Sequence, residues 1–339
     1  MSDPPKKANP TPFNRLYLVG NAFIQGYMHK LILTVVFFFG VFNFLFSQQH
    51  PTPAFEVLAG WPSVRDVNFS ANGDEAYVSL QSLAGDVSVI ACLKAKKGKW
   101  QKPVIVSFSG KYHDLEPFLS PDGLRLYFAS NRPLADSAAK TKDYDIWYVS
   151  RKSPDAEWGI PVNAGPVINS AADEFYPAIT LSNNLYFTST RTGTKGEDDI
   201  FFCEWKNGGY TQPVSLSDSV NSAGYEFNAY VAPDESYLIF SGYNRADGRG
   251  SGDLYISHRD QNNQWTKARN LGENVNSKYM DYCPFLDQKN QVLYFTSRRA
   301  EASVTDRFDT IDQLEKEVNK YENGMSRIYK ISASGWLKD

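Results

Sequence analysis

Asp114-Leu-Glu-Pro-Phe-Leu-Ser-Pro-Asp-Gly123, with Leu126-Tyr-Phe-Ala-Ser-Asn-Arg132 and Asp145-Ile-Trp-Tyr148 behind it, is the stretch that decides the fold. Three short aromatic and aliphatic runs are separated by turn residues, which is how strands and tight turns read in a sequence. The order returns in Glu174-Phe-Tyr-Pro177, Leu185-Tyr-Phe-Thr-Ser-Thr-Arg191 and Asp199-Ile-Phe-Phe202. A further copy is Glu226-Phe-Asn-Ala229, Leu238-Ile-Phe-Ser241 and Asp253-Leu-Tyr-Ile256. The last is Asp281-Tyr-Cys-Pro284, Leu293-Tyr-Phe-Thr-Ser297 and Arg327-Ile-Tyr-Lys330, and a weaker copy around Val67–Val89 precedes them all. A fourth run ends the units at Trp100-Gln-Lys-Pro103, Trp158-Gly-Ile-Pro161, Tyr210-Thr-Gln-Pro213, Trp265-Thr-Lys-Ala268 and Trp336.

Asp86, Asp145, Asp199 and Asp253 mark the third run at intervals of 59, 54 and 54 residues. Four strands in a unit of this length make a propeller blade, so the five copies predict an all-β, five-bladed β-propeller of four-stranded antiparallel blades. A ring of blades must be sealed, or its first and last units expose strand edges. Phe55-Glu-Val-Leu58 lacks a unit of its own and is expected to close the ring as the outer strand of the last blade, with Trp336–Asp339 as its rival. The composition agrees, with 20 Tyr, 22 Phe and 7 Trp favouring strands. A net charge of −3 gives a nucleic-acid partner no electrostatic support.

The pattern acid-x-x-Pro-x-x-Ser-Pro-Asp-Gly, then Leu-Tyr-Phe-x-Ser-x-Arg, then an Asp-Ile-Tyr-like run resembles the WD40-like propeller repeat of the TolB type, over about residues 64–336. That resemblance implies a periplasmic or cell-envelope protein and a propeller acting as a scaffold, with an envelope protein or a cell-wall glycan as partner. It says little about chemistry, because propellers host many functions.

Ahead of the repeats, Leu31–Phe46 is an uncharged apolar run that follows His29-Lys30 and ends at Ser47. This reads as a signal peptide over residues 28–47, preceded by an extension over 1–27 and followed by the propeller over 53–339. The exported chain would then be periplasmic, secreted or at the cell surface. An uncleaved anchor with Lys6, Lys7, Arg15 and Lys30 on the cytoplasmic side is the alternative, and the one case in which the chain contacts a membrane.

In a blade the inner strand lines the central channel. The acid that opens it recurs as Asp114, Glu174, Glu226 and Asp281, and an arginine follows the second run as Arg132, Arg191, Arg245 and Arg299. Arg245 is displaced by one place, and the first blade has Val64 and Ser82 instead. Acid and arginine present together and absent together point to ion pairs around the channel mouth. The same ring could instead form a polar funnel for a cation, glycan or peptide, with His113 beside it. Residues 301–324 break the repeat: Thr310-Ile-Asp-Gln313 fits a capping box, and Ile311, Leu314, Val318 and Tyr321 share one face of a short helix. Its role is either to cover the edge of the closing blade or to dock a partner.

A glycoside-acting enzyme needs two carboxylates in acid and base roles, and a cognate arginine beside each acid is expected to depress its pKa and spoil it as a general acid. No Gly-x-Ser-x-Gly elbow occurs. The three cysteines, Cys92, Cys203 and Cys283, form neither a disulfide framework nor a zinc spacing. The reading is therefore a monomeric, non-enzymatic binding scaffold with no cofactor and no metal, whose candidate face is the loop-rich channel mouth. A glycan- or peptide-binding module and a five-bladed glycoside-acting enzyme are the alternatives.

Overall fold

The computed structural model describes residues 50–335 and 337, apart from 136–140 and 302–306. The signal segment, the extension before it and Trp336 lie outside the described residues. Among the described residues no helix is long and apolar enough to cross a membrane.

Five antiparallel sheets follow one another along the chain. Blade 1 holds Ser63–Phe69, Glu75–Gln81, Ser88–Lys96 and Val104–Ile105 from the inside outwards, and blade 2 holds Asp114–Leu119, Arg125–Ser130, Asp145–Ser150 and Val162–Asn163. Blade 3 runs Glu174–Ile179, Leu185–Ser189, Asp199–Cys203 and Val214–Ser215, while blade 4 runs Tyr225–Val231, Tyr237–Tyr243, Asp253–His258 and Arg269–Asn270. Blade 5 holds Asp281–Asp287, Val292–Ser297 and Arg327–Ser332, and its outer strand is Thr52–Pro53 from the other end of the chain. The chain is a five-bladed β-propeller.

The outer strands are only two residues long and lie just beyond the tryptophan-rich runs. Trp158 and Trp265 are instead bolts between blades. The Trp158 indole donates to the Tyr77 hydroxyl of blade 1 (3.2 Å), and Trp265 meets Tyr186 of blade 3 edge-on.

Closure uses the N-terminal segment, but not as Phe55–Leu58 was expected to serve. Thr52 and Pro53 pair with Lys330 and Tyr329, and Ala54 N–H donates to Ile328 O (3.0 Å). Phe55 then leaves the sheet, and Glu56–Leu58 form a single 3₁₀ turn. The reason is packing: Phe55 and Leu58 are 1% and 3% exposed, and they fill the seam between blades 5 and 1 beside Val64, Val67, Leu80 and Ile328. An outer strand has one face to solvent, and these two side chains gain more apolar burial as a wedge.

The core is distributed accordingly. Each of the five blade–blade interfaces has its own cluster of buried apolar side chains, and the wedge belongs to the fifth. Cys203 and Cys283 are buried free thiols and Cys92 is half-buried; burial raises the pKa of all three, as expected for inert packing residues.

Candidate functional site at the channel mouth

All four crown carboxylates are completely buried and all four are paired. Arg132 meets Asp114 at 2.7 Å, Arg191 meets Glu174 at 2.8 Å, Arg245 meets Glu226 at 2.7 Å and Arg299 meets Asp281 at 2.9 Å. Each arginine also donates to a backbone carbonyl of the segment arriving from the preceding blade: Phe108, Ile168, Val220 and Val275. The serines of Asn169-Ser170, Asn221-Ser222 and Asn276-Ser277 donate to the next acid, while the asparagines close onto the third strand of the blade just left. The crown is thus a set of clamps joining blade to blade. The arginine does not lower every acid, contrary to expectation: burial outweighs Arg191 and raises the pKa of Glu174.

The displacement of Arg245 has a local cause. Gly242 takes the register position that Ser130, Ser189 and Ser297 hold in other blades, opposite the acid. One residue is added beyond it, and Asn244 at φ 60° absorbs the turn. A Cβ on Gly242 would sit 2.6 Å from Arg245 Cδ and 2.9 Å from the Tyr255 ring. Restoring the repeat with Gly242→Ser is therefore expected to destabilise the fold by about 1–3 kcal/mol in urea titrations.

Tyr243, next after Gly242, keeps the place opposite the residue before the acid that Asn131, Thr190 and Arg298 hold in other blades. It lies directly across from Tyr225, with ring centroids 5.4 Å apart at 60°. The pair borders a cavity of about 540 Å³, lined further by Phe227, Tyr279, Met280, Ser251 and Gly324. Two charged residues complete the lining. Asp198 lies just before the third strand of blade 3, and Arg298 just after the second strand of blade 5. Arg298 donates from Nε to Ser326 Oγ (3.2 Å) and lies over the Tyr282 ring. No hydrogen bond or ion pair reaches the Asp198 carboxylate among the described residues. Burial and the neighbouring Glu197, Asp173, Asp199 and Glu226 raise its pKa to about 6.

Beneath the mouth, the channel is filled. Each inner strand carries a bulge residue with left-handed φ, and these are Asp66, Glu116, Tyr176, Asn228 and Cys283. Glu116 accepts from Arg65 Nη2 (2.6 Å), the Tyr176 amide (2.8 Å) and Asn228 Nδ2 (3.2 Å). Arg65 also binds Asp66 (2.8 Å) and reaches the Cys283 sulfur (3.4 Å), which donates in turn to Asn228 Oδ1. One polar knot therefore takes a residue from every blade. Burial pushes the Glu116 carboxyl up against the pull of Arg65.

His113 is bound on both ring nitrogens, to Gly85 O and to the Tyr144 hydroxyl, so it positions a loop. The insertion forms the expected capped helix α1 (Ile311–Val318), with Thr310 and Gln313 exchanging bonds. It covers no edge: none of its residues is buried, and Ile311, Leu314 and Val318 are 67%, 39% and 50% exposed. Tyr321 lies past the helix end and departs from the expected stripe, donating to Ile328 O (2.7 Å) and stacking edge-on against Tyr329. It tethers the insertion to blade 5.

The crown, the knot and the mouth define the molecule as a propeller whose channel is crossed by a polar knot, with the mouth cavity at one end and a second cavity of about 340 Å³, lined by Asn68, Phe118, Ile179, Tyr230 and Phe285, at the other. No family model matches the sequence. No curated protein matches it. Among solved structures it is similar to a glycoside hydrolase, with 8% identity over 84% of this chain and 90% of that one and a TM-score of 0.53. It is also similar to an endo-arabinase of Bacteroides thetaiotaomicron VPI-5482 (13% identity, 83% and 97% covered, TM-score 0.49) and to a protein described as TolB from Agrobacterium tumefaciens (14%, 72% and 72%, 0.45). At such identities the likeness concerns the fold alone.

Proposed function

We propose that this chain is an exported, non-enzymatic propeller that holds a protein partner on its channel-mouth face. The observation that carries this reading is a helix whose apolar side chains Ile311, Leu314 and Val318 are exposed among the described residues, in an insertion whose exit at Gly324 borders an aromatic-lined cavity. Exposed apolar side chains in a contiguous group mark interaction sites, and loops on a rigid scaffold supply them. The neutralised crown supports binding over hydrolysis, because a glycosidase needs two carboxyl groups facing its substrate. Asp198 is the one carboxylate on the cavity lining among the described residues. A second reading, a glycan or peptide ligand seated in the cavity itself, draws support from the exposed ring of Tyr243 and the half-buried rings of Tyr225 and Tyr279, and the glycoside hydrolase among the fold neighbours keeps a carbohydrate substrate within its scope.

The test is a photo-crosslinking side chain placed at Leu314 or, as a control on the opposite face, at Ser182, in cells that make the protein. Discrete adducts are expected from position 314, absent from 182, and abolished by Val318→Glu. Equal labelling from both positions, no adduct from 314, or release of sugar from polysaccharides by the purified chain would contradict the proposal.

A further inference from the structure

We propose that the mouth cavity is a receptor for a basic side chain, a lysine or arginine presented by a peptide segment of the partner. This rests on the reading that the mouth face binds a protein and names the chemistry it selects.

The walls and the charge distribution both favour a cation. Tyr225 and Tyr243 meet at 60°, and Phe227 and Tyr279 add further aromatic surface to the same cavity. Ring faces carry negative potential and attract ammonium and guanidinium groups. Asp198 adds a carboxylate that no group in the fold uses. Its surroundings are acidic. Glu197 and Asp199 flank it in sequence, and it is also near Asp173, just before the inner strand of blade 3, and Glu226, on the inner strand of blade 4. Of these, Glu226 is neutralised by Arg245, and Asp199 is satisfied by Ser215 and the Lys195 amide. Lys195 pairs outward with Asp218 at 3.4 Å. The sector therefore keeps excess negative charge, which raises the Asp198 carboxyl and which an incoming cation would relieve.

Arg298 borders the cavity from blade 5, with Nε fixed on Ser326. It is the complement of a peptide carbonyl or carboxylate on the ligand's main chain. A basic peptide accounts for the rings, the free carboxylate and the guanidinium together. A saccharide would use the rings but has no need of an unpaired carboxylate in an acidic sector.

Titration of the full chain with Ac-Gly-Lys-Gly-NH₂, Ac-Gly-Glu-Gly-NH₂ and cellotetraose, followed by amide chemical shifts, tests the assignment. The lysine peptide is expected to saturate at least tenfold more tightly than the glutamate peptide. Its shifts should map to Tyr225, Tyr243 and Asp198. Affinity should rise from pH 5 to pH 7 with a midpoint near 6, as Asp198 ionises. Asp198→Asn and Tyr243→Ala should each weaken it at least tenfold, while Ser182→Glu on the opposite face leaves it unchanged. Equal affinity for the two peptides, indifference to both substitutions, or tighter binding of cellotetraose at these residues overturns the inference. If adducts form at position 314 but the lysine peptide is not preferred, the docking reading stands and this one falls. The reverse outcome separates them in the other direction.

Discussion

Glu116→Ala is expected to destabilise the fold by about 3–5 kcal/mol, the range for breaking a buried ion pair from one side. The side chain is 4% exposed and joins Arg65 of blade 1, Tyr176 of blade 3 and Asn228 of blade 4. Its removal leaves Arg65 with Asp66 as its one carboxylate partner among the described residues and strands two donors inside the channel. Glu116→Gln keeps the shape and should lose less. The pH dependence has a definite sign. Burial raises this carboxyl above the ordinary glutamate value, so the folded chain holds the proton more tightly than the unfolded chain. Its contribution is complete below the ordinary value and is lost as pH rises through the raised one. The glutamine variant should flatten that part of the stability profile. Urea titrations at several pH values check both points, and an alanine variant as stable as the parent would show that the knot is idle.

Phe55→Ala is expected to cost a similar 3–5 kcal/mol, the usual range for truncating a buried phenylalanine. The ring is 1% exposed and lies 5.4 Å from Trp100, 6.0 Å from Phe69 and 6.5 Å from Tyr294, so one residue touches both blades at the seam. A cavity there also loosens the grip on Thr52–Pro53, whose two-residue pairing is too short to hold alone. Protease nicking should move to the first residues of the propeller, and association between molecules should increase as the edge of blade 5 is freed. A variant that melts and resists protease like the parent would mean that the ring is sealed by other means.

These two residues also show where the sequence could be read and where it could not. The blades were legible because four turn signals and a charged pair recur at nearly fixed spacing, and that pair is visible as Asp114 with Arg132 or Asp281 with Arg299. The segment that closes the ring was legible too, but not its division of labour, because Phe55-Glu-Val-Leu58 alternates little and its fate depends on a gap between two distant blades. The knot was missed for a different reason. It occupies the one place in acid-x-x-Pro that differs in every copy, so comparing repeats hides it. Polar residues such as Asp66, Glu116 and Asn228 on strands that line a channel were the available signal. The mouth was least legible: Tyr225 and Tyr243 lie just outside the repeated motif, and Asp198 stands between Glu197 and Asp199 with nothing in the pattern to single it out.

The pairing of Thr52 with Lys330 sets an order on the birth of this molecule. Its two strands come from opposite ends of the propeller, so no ribosome or export channel can deliver a finished ring before the last blade has emerged. Until then blades 1 to 4 form an open arc whose terminal faces are greasy and unprotected. Such distant pairings form slowly. The waiting arc is the stage at which an escort protein, or a rival copy of the same chain, has its best chance to intervene.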